Sequence, residues 1–236
     1  MFHETSCVIT GGTQGIGRAI AFALGAKGAR VALCGRNGER VEQTVGELTS
    51  CGITAWGTSC DVSDEASVGD FAAGVFERYG AVEVLVNNAG LAYMAPLLEL
   101  STSQIDEMLD VNVRGLMLVT RAFLPTMIAA EHGDIVNIVS LAGKNGFAGG
   151  TAYAASKHAV LGFSKSLMLE VRAANIRVIT VCPGSVETPF FDKAGVELSN
   201  ADRVLQPEDV AETVVAALAL PGRAMISDLD IRPANP

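Results

Sequence analysis

At 236 residues the chain is long enough to build one domain around a large core. Apolar residues make up 49% and charged residues 18%, below the usual quarter or so, which leaves apolar surface for contacts between copies. The net charge of -9 excludes a phosphate-backbone partner, because nucleic-acid binding needs clustered Lys and Arg.

Strand and helix patterns alternate from end to end, which predicts an α/β fold with a parallel sheet of seven strands and helices on both faces. Residues 6–9 read as the first strand, followed by a glycine-rich turn and an apolar-periodic helix over 15–27. A strand over 30–34 leads into a helix rich in Glu and Val that runs to about residue 50. The third strand is expected over 53–60, with Ser63 as N-cap of a helix over 65–78. Residues 82–86 form the fourth strand. A long helix then begins at Ser101, with Gln104 completing a capping box, and continues to about Ala130 with a kink expected at Pro125. The fifth strand, 134–139, delivers Ser140 at its C-terminal end, and the helix that follows carries Tyr153 and Lys157. The sixth strand spans 177–182. Pro207, with Glu208 and Asp209 in the first turn, opens the last helix, and 225–231 closes the sheet. No linker or repeat divides residues 1–236, which read as one domain with a short substrate loop at about 185–206.

The five cysteines, Cys7, Cys34, Cys51, Cys60 and Cys182, are odd in number and contain no C-x-x-C pair. All but Cys51 fall in or beside predicted strands, where a free thiol acts as a small apolar group; a reduced, cytoplasmic protein is expected. The first strand starts too early for a signal peptide. The longest candidate membrane stretch, residues 214–220, is too short to span a bilayer. His3 and His132 lack partners at ligand spacing, so no metal is expected. His158 points away from Lys157 on a helix, and Trp56 and the methionines read as core or interface.

Tyr153 and Lys157 stand four residues apart and so share a helix face. An ammonium beside a phenol favours phenolate, so the Tyr153 pKa is expected to fall from about 10 toward neutrality, as suits a proton donor and acceptor. Ser140 ends a strand, where open α/β sheets hold their ligands. Upstream, Gly11, Gly15 and Gly17 in Thr10-Gly11-Gly12-Thr13-Gln14-Gly15-Ile16-Gly17 follow the first strand directly, and a helix opening there presents its positive end to a pyrophosphate.

That glycine spacing resembles the short-chain dehydrogenase/reductase family, and further motifs in the same order extend the resemblance over nearly the whole chain. Asp61-Val62 resembles the family's adenine-contacting pair. Asn87-Asn88-Ala89-Gly90 is similar to the motif that braces the sheet and the adenosine side. Asn112 matches the helix asparagine, and Ser140, Tyr153 and Lys157 match the catalytic trio. Pro183-Gly184-x-Val186-x-Thr188 resembles the loop that cups the nicotinamide. The resemblance implies a Rossmann-type doubly wound sheet and hydride transfer between a nicotinamide and a carbonyl or alcohol. It assigns Tyr153 as acid/base, Lys157 to the ribose and the Tyr153 pKa, Ser140 to the substrate oxygen, and Asn112 to a water that relays protons from Lys157. Cofactor contacts are expected from Gly11, Thr13, Gln14, Gly15, Ile16, Gly17, Arg36, Asn37, Asp61, Val62, Asn88, Ala89, Gly90, Tyr153, Lys157, Pro183, Gly184, Val186 and Thr188.

The second strand ends Leu33-Cys34-Gly35-Arg36-Asn37, without the carboxylate that suits NAD. Gly35 leaves room and Arg36 offers a planar fork, so NADP(H) is expected over NAD(H). Leu91, Tyr93, Ala142, Phe147, Val186, Phe190 and Phe191 are candidates for an apolar substrate wall with no Arg or Lys to clamp an anion. The partner is then a small carbonyl or alcohol, and a homodimer or homotetramer is expected from the small and apolar helices around Ser101 and Tyr153. Two alternatives stand: a β-ketoacyl carrier-protein reductase, or a non-catalytic nucleotide-binding homologue. Against the first, Glu131, His132 and Asn175 stand where such relatives carry basic residues, although Arg172 and Arg177 remain. A sugar epimerase or dehydratase is not expected, since that longer branch of the family needs an added C-terminal substrate domain and only residues 233–236 follow the seventh strand.

Overall fold

Strands buried on both faces need continuous apolar runs, and that is how the central strands are built. The computed structural model describes residues 2–194 and 203–235, with the side chains of 191–193 excepted. Its elements are β1 (Ser6–Thr10), α1 (Gly15–Gly25), β2 (Arg30–Gly35), α2 (Gly38–Ser50), β3 (Ala55–Ser59), α3 (Glu65–Tyr79), β4 (Val84–Asn87), α4 (Thr102–Leu109) and α5 (Leu116–Ala130). They continue with β5 (Gly133–Ile138), α6 (Thr151–Val171), β6 (Ile176–Pro183), α7 (Pro189–Ala194), α8 (Pro207–Leu218) and β7 (Asp228–Ile231).

The seven strands form one sheet in the order β3-β2-β1-β4-β5-β6-β7, and every pairing is parallel. The chain winds outward from β1 to β3, then crosses to β4 and winds the other way. Connections leave β1 and β4 toward opposite faces, which opens a crevice at their C-terminal ends. Alternate residues feed two apolar layers. Ile9 and Val136 meet Ile20, Leu24 and Val214 on one face, while Val8 and Ile135 meet Phe71, Phe123 and Leu167 on the other. Phe71 anchors the second layer, stacked on Trp56 and edge-on to Phe123, with centroids 6.0 Å apart in both pairs.

Several local expectations are corrected. The N-cap of α3 is Asp64, whose carboxylate accepts from the Ala66 N–H. Ser63 instead donates its N–H and hydroxyl to Asp61 Oδ1, at 2.9 and 2.6 Å. The long helix keeps its Ser101/Gln104 capping box but changes at Asp110–Gly115, which forms a π-turn; α5 continues through Pro125. β3 and β7 are shorter than expected. The helical stretch Thr102–Ala130 is 29 residues long and apolar enough to cross a membrane by length and composition, so residues 214–220 are not the longest such run. In the fold it is a core helix, with Val119, Phe123 and Met127 buried against the sheet.

Arg177 does not lie on the surface as a free charge. Its guanidinium grips Asp134 through two hydrogen bonds, of 2.5 and 2.8 Å. It also donates to the carbonyls of Leu218, Leu220 and Ala224 at 3.1 Å. One fully engaged cation thus joins β5, β6 and the end of α8, where helix carbonyls need donors.

Candidate active site

The crevice predicted by the strand order is a cleft of about 820 Å³ at the C-terminal ends of the strands, in the range of cofactor sites. Its floor is the turn between β1 and α1. Gly11 and Gly15 have φ of +64° and +51°, a region that favours glycine. A Cβ at Gly11 would meet Ala89 and Asn88 at 3.0 Å, and one at Gly15 would meet Thr188 at 2.9 Å. The turn is therefore pressed between the segments after β4 and β6, with its backbone open to the cleft. That cradle fits a dinucleotide pyrophosphate at the N-terminus of α1.

Thr13, Gln14, Ile16, Arg36, Asn37, Asp61, Val62, Asn88, Ala89, Gly90, Pro183, Gly184, Val186 and Thr188 line the same cleft, as do Ser140, Tyr153 and Lys157. Two expected residues do not. Gly17 lies beneath the turn, where a Cβ would sit 2.4 Å from Asn88 Nδ2 and from the Gly11 carbonyl; it is required for packing. Gly35 lines the cleft as well, and a Cβ there would meet Thr13 at 3.1 Å. Asn88 staples the crevice shut at its base, donating from Nδ2 to the carbonyls of Thr10 and Gly11 at 3.0 Å.

Asn112 is the other residue outside the lining. It sits buried in the π-turn, with Oδ1 accepting from the Leu91 N–H at 2.9 Å. Both amide hydrogens are spent, on the Leu91 carbonyl at 2.8 Å and on Ser156 Oγ at 3.0 Å. The side chain thereby holds the segment after β4 in place. Gly90 permits the approach: a Cβ there would lie 3.2 Å from Asn112 Oδ1 and 3.6 Å from Lys157 Nζ.

Tyr153 and Lys157 both lie buried on α6. Lys157 Nζ stands 5.8 Å from the Tyr153 ring centroid and donates to the Ile138 carbonyl at 3.2 Å. The expected fall in the Tyr153 pKa does not occur. Burial pushes the phenol up to about 12, against a smaller lowering from the neighbouring Ser140 hydroxyl. Burial also brings the Lys157 ammonium down to about 8. Helical spacing told which face the pair shares; desolvation, which spacing does not report, decides the sign of both shifts. His158 is exposed, with Nδ1 against the Ala154 carbonyl at 2.8 Å.

The apolar end of the cleft is lined by Leu91, Met94, Ala142, Phe147, Val186 and Phe190, with Phe190 5.8 Å from the Tyr153 ring. Tyr93 is absent from that wall because its hydroxyl turns to Glu107, at 2.5 Å. The Phe191 side chain and residues 195–202, part of the expected substrate loop, lie outside the described residues. Two arginines missed in the sequence also line the cleft, Arg40 and Arg232. Arg40 had a signal: Asn37 caps α2 through the Arg40 N–H, which turns the first helical turn toward the glycine loop, and its guanidinium donates to Gln14 at 2.9 Å. Arg232 follows β7, whose pairing with β6 brings it to the cleft. Among the described residues, Cys182, Asp228 and Asp230 place metal-type ligand atoms within 4.8 Å of one another. The Lys144 ammonium already pairs with both carboxylates.

A phenol, a hydroxyl and an ammonium gathered beside a glycine-floored dinucleotide cleft define a nucleotide-dependent oxidoreductase. The chain belongs to the short chain dehydrogenase family, which it matches over residues 5–198. It is 38% identical over 241 residues to a putative ketoacyl reductase of Streptomyces coelicolor, covering 93% of this chain and 92% of that one. Its fold is similar to an alcohol dehydrogenase from the archaeon Thermococcus sibiricus complexed with 5-hydroxy-NADP, with a TM-score of 0.91 and 32% identity over 98% of this chain and 97% of that one. It is equally similar to a variant of actinorhodin polyketide ketoreductase with NADPH, with a TM-score of 0.90 and 36% identity over 98% and 96%.

Proposed function

We propose that this enzyme interconverts a free ketone or aldehyde and its alcohol with NADP(H) as cofactor and Tyr153 as the acid/base. The observation that carries this is the convergence of Ser140, Tyr153 and Lys157 on one cleft with the glycine turn. The backbone of residues 11–17 would hold the pyrophosphate, Asp61, Val62 and Ala89 the adenine side, and Arg36 with Arg40 the 2′-phosphate. Pro183, Gly184, Val186 and Thr188 would face the nicotinamide, and Lys157 its ribose. The hydride that reaches the carbonyl carbon is the chemistry NADP(H) supplies when bound.

The protein's share is the proton. Burial keeps the Tyr153 phenol protonated across the neutral range, ready to donate to the carbonyl oxygen as negative charge grows there. Ser140, which lines the cleft with that phenol, donates to the same oxygen. Lys157 steadies the phenolate left behind, and Asn112 fixes the wall behind Lys157. The trio argues against a non-catalytic homologue.

A second reading, a β-ketoacyl thioester on a carrier protein, is favoured by the likeness to ketoacyl reductases. Against it stand the net charge of -9, which opposes encounter with an acidic carrier, and the engagement of Arg177 inside the fold. The deciding test compares kcat/KM for acetoacetyl-carrier protein and for an apolar ketone at low salt, where steering is strongest. The free ketone is expected to win; a wide margin for the carrier substrate would favour the second reading. We further place the enzyme in the cytoplasm, supported by five free cysteines. We infer a homodimer or homotetramer, supported by the exposed Leu109, Met117, Ile128 and Leu169 on α4, α5 and α6.

A further inference from the structure

Arg36 is not idle. Its Nη1 donates to Glu107 Oε1 at 3.3 Å, with the two side chains 56% and 36% exposed. Glu107 lies on α4, one helical turn before Val111, and Val111 lines the cleft together with Asp61 and Val62. The Arg36–Glu107 pair therefore reaches from the end of β2 to α4 beside the adenosine end of the cleft. The other Glu107 oxygen accepts from the Tyr93 hydroxyl at 2.5 Å, which fixes the carboxylate from behind.

We propose that Glu107 sets how strongly this enzyme prefers NADP(H), by competing with the 2′-phosphate for the Arg36 guanidinium. The proposal rests on Arg36 as a phosphate-binding residue. The second strand ends without a carboxylate, yet one reaches the same corner from a different element. Glu107 takes one Arg36 nitrogen through a single 3.3 Å bond. The other donors stay open to a phosphate, but the carboxylate offsets part of the guanidinium charge that the phosphate would use. An exposed ion pair is easily broken. The carboxylate nevertheless stays within a Debye length of the phosphate, and Tyr93 keeps it from swinging away. Two further charged groups face this corner. Asp61 feels the Arg36 charge, and its carboxyl is held below the usual range by its bonds to Ser63 against the effect of burial. Arg40 makes no ion pair among the described residues, only its bond to Gln14, and supplies a second cation. A neutral side chain at 107 would leave both guanidinium groups to the phosphate.

The test separates the phosphate from the rest of the cofactor by measuring, in a calorimeter, adenosine 2′,5′-bisphosphate against 5′-AMP. Glu107→Gln keeps the shape and an acceptor for Tyr93 while removing the charge. It is expected to bind the bisphosphate about twofold to fivefold tighter, the size of an exposed charge pair. Binding of 5′-AMP should not change, and the gain should shrink in high salt. The ratio of kcat/KM for NADPH over NADH should rise by the same factor. Bisphosphate affinity that is unchanged or weaker in Glu107→Gln overturns the proposal. Arg36→Ala distinguishes the two levels. If it weakens the bisphosphate while Glu107→Gln has no effect, only the role of Glu107 fails. If Arg36→Ala also leaves bisphosphate binding intact, the assignment of Arg36 fails with it.

Discussion

Lys157 is a charge placed where charge is costly. With 6% of its surface exposed, its ammonium titrates near 8 in the folded chain against about 10.4 in an unfolded one. Below pH 8 the folded protein carries the whole burial cost, and that cost is relieved as pH rises through the window from about 8 to about 10.4, where the unfolded chain binds more protons. Lys157→Met is therefore expected to raise stability at pH 7 by on the order of 2 kcal/mol, after the lost bond to Ile138 is set against the relieved burial. Thermal melts at several pH values check this. The gap between variant and wild type should narrow as pH rises from 8 to 10.4; a constant gap, or a less stable variant at pH 7, would contradict it. The identities of Ser140, Tyr153 and Lys157 were legible in the sequence because a period of four and a strand end place them. Their protonation was not, because burial depends on Phe190 and the segment after β4, neither of which is near them in the chain.

Among the elements, the turn after Ser140 is anchored from the far edge of the sheet. Lys144 ends the short 3-10 turn Leu141–Gly143, and its ammonium reaches Asp230 at 2.5 Å and Asp228 at 3.0 Å on β7. Asp228 is itself held by the Thr180 hydroxyl at 2.9 Å. This clamp ties the serine turn to the edge strand, so Lys144 is expected to help position Ser140. Lys144→Met is expected to lower kcat about tenfold, as small misplacements near a reacting centre do, with KM for NADPH little changed. Lys144→Arg should restore most of it, and steady-state kinetics on both variants would show whether charge at 144 matters. Equal kcat in Lys144→Met and wild type would dismiss the clamp. The order of the elements was readable from strand and helix periods, as were the capping box at Ser101 and Pro207 at the start of α8. The π-turn at Asp110–Gly115 was not, because one extra residue per turn leaves the apolar pattern of Val111, Leu116 and Val119 almost unaltered. The choice of Asp64 over Ser63 as cap was hidden too, since both residue types suit the position.

At the scale of the whole molecule, composition and surface point the same way. The low charged fraction of 18% has its structural counterpart in Leu109, Met117 and Ile128, which stay 42%, 39% and 46% exposed on a helical stretch whose other side is core. Covering that stripe with a second copy would bury it. Light scattering at micromolar concentration is expected to give a dimer or tetramer, and replacing Met117 and Ile128 together with Glu should shift the species toward monomer. A monomeric wild-type protein would contradict the assembly. The sequence carried the apolar excess but not its location, and it carried Arg177 without the Asp134 partner that takes it off the surface.

Tyr153 is the residue on which everything else converges, so the most direct measurement compares Tyr153→Phe with wild type using NADPH deuterated at the transferable position and the best ketone from a panel. Wild-type enzyme should place the deuterium on the alcohol carbon. The variant should bind NADPH with nearly the same Kd while kcat falls by about a hundredfold to ten-thousandfold, the contribution of a positioned acid. A Tyr153→Phe enzyme that turns over within tenfold of wild type, or a wild-type product without deuterium on that carbon, would contradict the account.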